Sequence, residues 1–228
     1  MEQNKQRIVV KVGTSTLTHN SGALDLWSME HLVRTLADLQ GMGHEVILVS
    51  SGAIAVGTAK LGLSERPKEL RMKQAAAAVG QCRMMHIYDK FFSEYNRSMA
   101  QILLTGDDVE DPERAEHLSN TFSALLEMGV IPVVNENDSV SSAEIETGRH
   151  KVLGDNDTLS AIVAELCRAD LLVLLSDIDG LYDADPKTHP EAKLLHQVTE
   201  LTPEILEMAG GAGSWRGTGG MGPKLSAA

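Results

Sequence analysis

Cysteine is scarce in this sequence. The chain has two cysteines among its 228 residues, Cys82 and Cys167, and they do not form a CxxC pair. A disulfide framework or a cysteine-based zinc site therefore has no support, and a reducing compartment fits best. We expect both thiols to be buried and unreactive.

Long apolar runs are also lacking. The N-terminal stretch MEQNKQRIVVKVG has no extended apolar segment, and the leucine-rich run at 171–175 is far shorter than the roughly 20 residues that span a bilayer. We predict that the protein is neither exported nor membrane-spanning, and that it is cytoplasmic.

Positive charge is in deficit. Lys and Arg total 20 against 32 Asp and Glu, for a net charge of -12. Such a surface repels nucleic acid and anionic membranes, so we expect neither as a partner and expect any cationic site to be local. The hydrophobic fraction of 43% is typical of globular proteins, and the length predicts one domain over residues 1–228.

Continuous apolar runs alternate with helical patterns along the chain. The runs predict buried strands at 7–12, 45–50, 101–104, 130–134 and 169–175. Amphipathic spacing predicts helices at about 25–40, 69–97, 114–128 and 157–168. We therefore predict an α/β sandwich with a mainly parallel sheet and helices on both faces, with a short hairpin at 139–150.

Several common catalytic motifs are missing. There is no GxxxxGK[ST] loop, no GxGxxG after the first strand, no HExxH and no GxSxG. The usual ATPase, dehydrogenase, metalloprotease and hydrolase interpretations therefore lose support. What remains is a series of polar, small-residue segments, most of which follow predicted strands, where open α/β sheets bind ligands.

The first two of these segments contain groups that can bind phosphate. In KVGTST, Lys11 supplies a charge and Gly13 opens a run of amides and hydroxyls; the alternative is a lysine that reaches solvent beside a turn. In VSSGAIAVG, Ser51 and Gly52 precede a helix whose N-terminus favours anions, and a simple serine N-cap is the alternative.

The later segments carry carboxylates, amides and glycines. VVNENDSV places Asn135, Glu136, Asn137 and Asp138 in four consecutive positions and either binds an ammonium or hydroxyl group or forms an ordinary turn. GDNDTLSA places Asn156 and Asp157 at a helix start, where capping is the alternative. LSDIDGLYDADP reads as a structured loop after the fifth strand, and GTGGMGPK leads to Lys224, with a plain flexible loop as the alternative.

Together and in order, these segments resemble the glutamate 5-kinase family of the amino-acid-kinase superfamily, from about residue 7 to 228. The resemblance implies a three-layer α/β/α fold. It implies phosphoryl transfer from ATP to the side-chain carboxylate of L-glutamate, which is the first step of proline biosynthesis. It also implies feedback inhibition by proline and a homodimer or homotetramer. Because Mg²⁺ usually binds phosphate oxygens and waters, we expect it with ATP and assign it no protein ligand.

The resemblance also implies a role for each matching residue. Lys11 and Lys224 would steady the phosphates, and Asp157 would hold the lysines in place. Three residues would bind glutamate: Ser51, Asp138 and Asn156. The nucleotide would contact a larger set, with the glycine loop 218–224 over its phosphates: Lys11, Gly13, Ser176, Asp177, Thr218, Gly219, Gly220, Met221, Gly222 and Lys224.

The chain departs from the family pattern in two places. Pro223 stands where a Thr is expected before the lysine, and a proline has no N–H to offer a phosphate. The given sequence ends at Ala228, and we expect it to be short of the full kinase domain and to lack a PUA domain. Two alternatives stay open. One is a related kinase acting on N-acetylglutamate, aspartate, carbamate or a nucleoside monophosphate. The other is a non-catalytic sensor on the same fold.

Overall fold

A computed structural model of the chain describes residues 5–140, 156–186, 188–208 and 221–227. The chain divides into two compact units, Met1–Leu175 and Ser176–Ala228. Our expectation of one domain over 1–228 stays a prediction. The hairpin predicted at 139–150 lies, apart from its first two residues, outside the described part of the chain.

Five parallel strands form one sheet in the order β3-β4-β2-β1-β5. The strands are β1 Arg7–Lys11, β2 Glu45–Val49, β3 Ser98–Leu104, β4 Val130–Glu136 and β5 Leu171–Leu174. All five predicted strands are present, and the parallel sheet is confirmed. β1 lies between β2 and β5, with Val9 paired to Ile47 on one side and Leu172 on the other.

The helices of the first unit alternate with these strands. They are α1 Thr14–Leu17, α2 Leu26–Gly41, α3 Ala53–Lys60, α4 Leu70–Glu94, α5 Gly106–Glu110, α6 Pro112–Glu127 and α7 Asn156–Leu166. α2 begins at Asp25, whose carboxylate accepts hydrogen bonds from two first-turn amides. α6 begins at Asp111 in the same way and has Pro112 at its first position. The four predicted helices are therefore confirmed.

Both faces of the sheet are covered by helices. Ile8 and Val10 of β1 pack in a core with residues of α2, α3 and α4, whereas Val9 between them packs with residues of α6 and α7. Burial of both faces explains why the strands are continuously apolar rather than alternating. The neighbouring strands β2 and β4 lead into helices on opposite faces, and such a switch point opens a ligand crevice at the carboxyl ends of the strands.

Two glycines allow α3 and α4 to cross at backbone distance. A Cβ at Gly57 would lie 1.8 Å from the carbonyl oxygen of Ala76, and a Cβ at Gly80 would lie 1.8 Å from that of Ala53. No side chain larger than hydrogen fits at either position without separating the helices. The close crossing places the middle of α4 beside the start of α3.

The second unit has little regular structure in its described residues. An antiparallel bridge pairs Tyr182 with Leu194, and the amide of Leu195 donates to the carbonyl of Leu181 at 2.8 Å. Two short helices follow, α8 Pro203–Met208 and α9 Met221–Ala227.

The two cysteines differ in environment. Cys167 is buried, and burial raises the pKa of its thiol to about 12, as expected for an unreactive core thiol. Cys82 lies on the exposed side of α4, so our prediction that it is buried is wrong. The apolar residues of α4 repeat with helical spacing, and Cys82 falls between them rather than on their face.

None of the described helices has the length and apolar character needed to cross a membrane.

Candidate active site

The carboxyl ends of three neighbouring strands bring predicted site residues to one edge of the sheet. Lys11 ends β1, Ser51 follows β2, and Asn135 lies near the end of β4. The amide of Val12 donates to the carbonyl of Val49, and the amide of Ser50 donates to that of Val134, both at 2.9 Å. These bonds extend the strand pairing and hold the three segments in register.

Lys11 and Asp157 form a buried ion pair. Lys11 Nζ lies 2.7 Å from Asp157 Oδ1, and the two side chains are 9% and 3% exposed. Lys11 projects to the sheet face that α7 covers, and Asp157 is in the first turn of that helix. The alternative for Lys11 is therefore wrong, because its ammonium group does not reach solvent, whereas Asp157 lies in the first turn of α7, as its own alternative also predicted. The pair is electrically neutral as a unit.

Ser51 joins the first strand end to the second. Its Oγ donates to the carbonyl of Val12 at 3.0 Å and accepts from Thr14 Oγ1 at 3.3 Å. The residue that caps α3 is Gly52, which adopts a left-handed φ of 99°. The alternative of a serine N-cap is therefore wrong, and Ser51 is free of that task.

The space beside Lys11 suits a phosphate group. A Cβ built at Gly13 would lie 3.7 Å from Lys11 Nζ, so any side chain at that position would fill the space next to the ammonium group. The surrounding donors are that ammonium group and the amides of the loop that opens α1. This donor set fits the oxygens of an ATP phosphate.

A chain of amide side chains connects this edge to α4. Asn156 Nδ2 donates to Asn135 Oδ1 at 2.9 Å and also to the carbonyl of Ser50. Asn135 Nδ2 donates in turn to Gln81 Oε1 at 2.9 Å, and Asn135 and Gln81 are both buried. Two turns of α4 beyond Gln81, the hydroxyl of Tyr88 forms a hydrogen bond with Ser50 Oγ at 2.9 Å.

Our sequence reasoning missed Ser50, Gln81 and Tyr88. The two α4 residues lie on its apolar face, where residues seven apart share a side of a helix. A glutamine on such a face signals a buried polar partner, and that signal was available in the sequence. The sequence did not reveal which residue that partner is, because Asn135 is 54 positions away from Gln81.

Asp138 is half-buried at the end of the β4 segment. Burial, together with the nearby Glu136 carboxylate, raises the pKa of Asp138 to about 6, and Arg66 partly opposes this shift. A bound ammonium group would relieve the repulsion between these carboxylates. The contact between Asp138 and an amino-acid substrate stays a prediction.

The second unit holds the remaining predicted residues. Ser176 and Asp177 lie in the predicted loop, with the serine hydroxyl donating to the carboxylate at 3.4 Å. Thr218, Gly219 and Gly220 fall outside the described residues.

One prediction in this unit needs correction. We expected a loop over 218–224, but Met221, Gly222 and Lys224 belong to α9. Pro223 is compatible with that helix because it lies in the first turn, where amides have no partner within the helix.

Two further features of the described residues bear on ligand binding. No group of three or more His, Cys, Asp or Glu side chains in the described part of the chain could hold a metal ion. A cavity of about 600 Å³ lies among α5, α6 and α7, where Val109, Ser119 and Ile162 are among its lining residues. None of the predicted site residues lines that cavity.

Comparison with known proteins identifies the family. The profile of the amino acid kinase family matches residues 6–228. Glutamate 5-kinase of Clostridium perfringens is 57% identical over 226 residues, which cover 99% of this chain and 83% of that protein. Glutamate 5-kinase of Clostridium acetobutylicum is 55% identical over 225 residues, with coverage of 99% and 82%.

The chain belongs to the amino acid kinase family.

Solved structures of distant sequence agree with this assignment at the level of the fold. Carbamate kinase from Giardia lamblia bound to AMP-PNP has a TM-score of 0.61 at 16% identity and covers all of this chain and 88% of that one. The isopentenyl phosphate kinase product complex of T. acidophilum has a TM-score of 0.59 at 19% identity, with coverage of 84% and 79%. The predicted α/β/α fold of an amino acid kinase is confirmed.

Proposed function

We propose that this amino acid kinase transfers a phosphoryl group from ATP to the side-chain carboxylate of L-glutamate, forming L-glutamate 5-phosphate and ADP, the first step of proline biosynthesis. The observation that carries the proposal is the buried Lys11–Asp157 pair at the carboxyl ends of the strands, in a chain 57% identical to a glutamate 5-kinase. We place this activity in the cytoplasm.

The reaction requires positive charge more than it requires a base. A glutamate side chain has a pKa of about 4.3, so it is ionised at neutral pH and is already nucleophilic. The barrier comes from bringing this anion to a polyanionic phosphate chain, so charge neutralisation and in-line positioning dominate catalysis. We assign this task to Lys11 and Lys224.

Asp157 acts on the reaction through Lys11. The carboxylate fixes the ammonium group 2.7 Å away, so the charge is already in place before the phosphate arrives. A positioned charge stabilises a transition state without having to reorganise during the reaction. We therefore assign Asp157 the role of organiser rather than proton acceptor.

We assign the glutamate site to the edge between β2 and β4. Ser51 follows β2, Asp138 follows β4, and Asn156 begins α7 and hydrogen-bonds the chain near both strand ends. Asp138 would receive the substrate ammonium group. Sites built at strand switch points in this way are the usual binding sites of open α/β sheets.

We assign ATP the donor set around Lys11, with further contacts from Gly13, Ser176, Asp177 and the segment 218–224. Mg²⁺ on the phosphate oxygens would supply additional charge neutralisation. Feedback inhibition by proline and assembly as a homodimer or homotetramer remain part of the proposal, and neither nucleic acid nor a membrane is expected as a partner.

The direct test is ADP release with MgATP against L-glutamate, N-acetyl-L-glutamate, L-aspartate, carbamate and UMP, in the presence of hydroxylamine. Hydroxylamine converts an acyl phosphate to a stable hydroxamate, so it identifies a carboxyl acceptor. We expect turnover and hydroxamate with L-glutamate alone. Turnover with another acceptor would assign a different kinase of the family. ATP binding without turnover across the panel would favour a sensor.

A further inference from the structure

Gln81 occupies an unusual position in the buried amide chain. It is 7% exposed, its Oε1 accepts from Asn135 Nδ2, and its Nε2 has no hydrogen-bond partner among the described residues. A buried donor without a partner costs free energy, so a glutamine is not what core stability alone would select here.

The amide chain has a fixed polarity. The carbonyl of Ser50 can only accept, so the atom of Asn156 that faces it must be Nδ2. The second hydrogen of the same Nδ2 goes to Asn135 Oδ1, which leaves Asn135 Nδ2 to donate to Gln81. Each amide therefore has one orientation that satisfies all of these bonds.

This polarity determines what Asn156 offers to a ligand. Both hydrogens of its Nδ2 are used within the protein, by Ser50 and by Asn135. Only Oδ1 is left, and an amide oxygen accepts a hydrogen bond from an ammonium group but cannot donate one to a carboxylate. Together with Asp138, Asn156 thus favours the end of the substrate that carries a free amino group.

We infer that Gln81 is a positioning residue for substrate selection: by holding Asn135 from α4, it keeps Asn156 Oδ1 oriented for the amino group of the amino-acid substrate. Asn135 is held on one side by Asn156 and on the other by Gln81. Without Gln81 Oε1, Asn135 Nδ2 loses its partner, and Asn135 rotates to find another. Asn156 then loses one of its two fixed bonds. The inference rests on the proposed glutamate kinase activity.

The variant that tests this role is Gln81→Met. Methionine has nearly the same shape but no acceptor, and it also removes the unpartnered Nε2, so a large loss of stability is not expected. We expect the KM for L-glutamate to rise about fivefold, as for the loss of one hydrogen bond, while kcat and the KM for ATP stay within about twofold.

A ligand without the amino group separates positioning from general damage to the site. Glutarate is L-glutamate without its ammonium group, so its inhibition constant against glutamate should not change in Gln81→Met. The matched control is Tyr88→Phe, on the same face of α4, which loses a buried hydrogen bond to Ser50 Oγ outside the amide chain. This control should leave the KM for glutamate near the wild-type value.

Four outcomes would overturn the inference. An unchanged KM for glutamate in Gln81→Met would remove the role. An equal rise in the glutarate inhibition constant, or an equal effect in Tyr88→Phe, would show general disturbance of the pocket. A wild-type chain that does not phosphorylate glutamate would instead refute the proposed function, and the inference with it, before any variant is compared.

Discussion

Replacing Asp157 by asparagine tests the central ion pair. At 2.7 Å and an effective dielectric constant of about 20, the attraction between the two charges is about 6 kcal/mol, most of which offsets the cost of burying them. Removing one partner of such a pair costs about 3–5 kcal/mol. The asparagine Oδ1 can still accept from Lys11, so we expect the lower value, about 3 kcal/mol. For a chain of this size, that lowers Tm by about 6–12 °C.

The same substitution should affect catalysis more than ATP binding. Lys11 would keep its charge but lose its fixed position, and misplacing one charged donor typically costs about 100-fold in kcat. The KM for ATP should rise far less, because the phosphates compensate the uncovered ammonium charge. MgATP should for that reason raise the Tm of Asp157→Asn by more than it raises that of the wild type.

The assay combines thermal unfolding, with and without MgATP, and steady-state kinetics. Asp111→Asn is the matched control, because Asp111 also lies at a helix start but has no lysine partner there, and asparagine caps helices equally well. An unchanged kcat in Asp157→Asn, or a loss of Tm no larger than in the control, would refute the reasoning.

Two further predictions concern pH and helix packing. Asp138 has a raised pKa of about 6, so its charge is lost as pH falls through 6, and the KM for glutamate should rise there; Asp138→Asn should abolish this pH dependence. A raised carboxylate pKa costs folding stability at pH 7, so unliganded Asp138→Asn should also melt higher than the wild type, and an equal or lower Tm would contradict the burial argument. Gly57→Ala should cost about 1–3 kcal/mol by forcing α3 from α4, measured by urea unfolding. Gly41→Ala, where a Cβ meets only the end of the Arg97 side chain, should be nearly neutral, and equal losses in the two variants would contradict the crossing argument.

Local patterns in the sequence predicted most of the fold. The strands β1, β2 and β4 are continuously apolar because each is buried on both faces, whereas the edge strands β3 and β5 are partly exposed. The long helices were equally readable, because their apolar residues recur with helical spacing and their starts carry capping residues such as Asp25 and Asp111. The observed ends of strands and helices still differ by a few residues from the predicted ends, because the pairing with neighbouring strands decides where a strand stops.

The sequence by itself determined which chemical groups the site can use. A lysine at the end of the first strand, serines after the second and carboxylates and amides after the fourth follow from the order of residues, and their resemblance to a kinase family predicted the function. Whether those groups meet depended on the tertiary structure. Lys11 and Asp157 are far apart in sequence, and only the packing of α7 on the sheet brings their charges to 2.7 Å.

The amide chain shows most clearly the difference between what the sequence determines and what the tertiary structure decides. Asn156, Asn135 and Gln81 come from α7, β4 and α4, and no local pattern links them. Their hydrogen bonds form because α4 packs in one core with the sheet. The sequence determines the residue types and their local periodicity. The hydrogen-bond partners and the orientation of each amide are decided only when distant elements pack and bury their polar groups together.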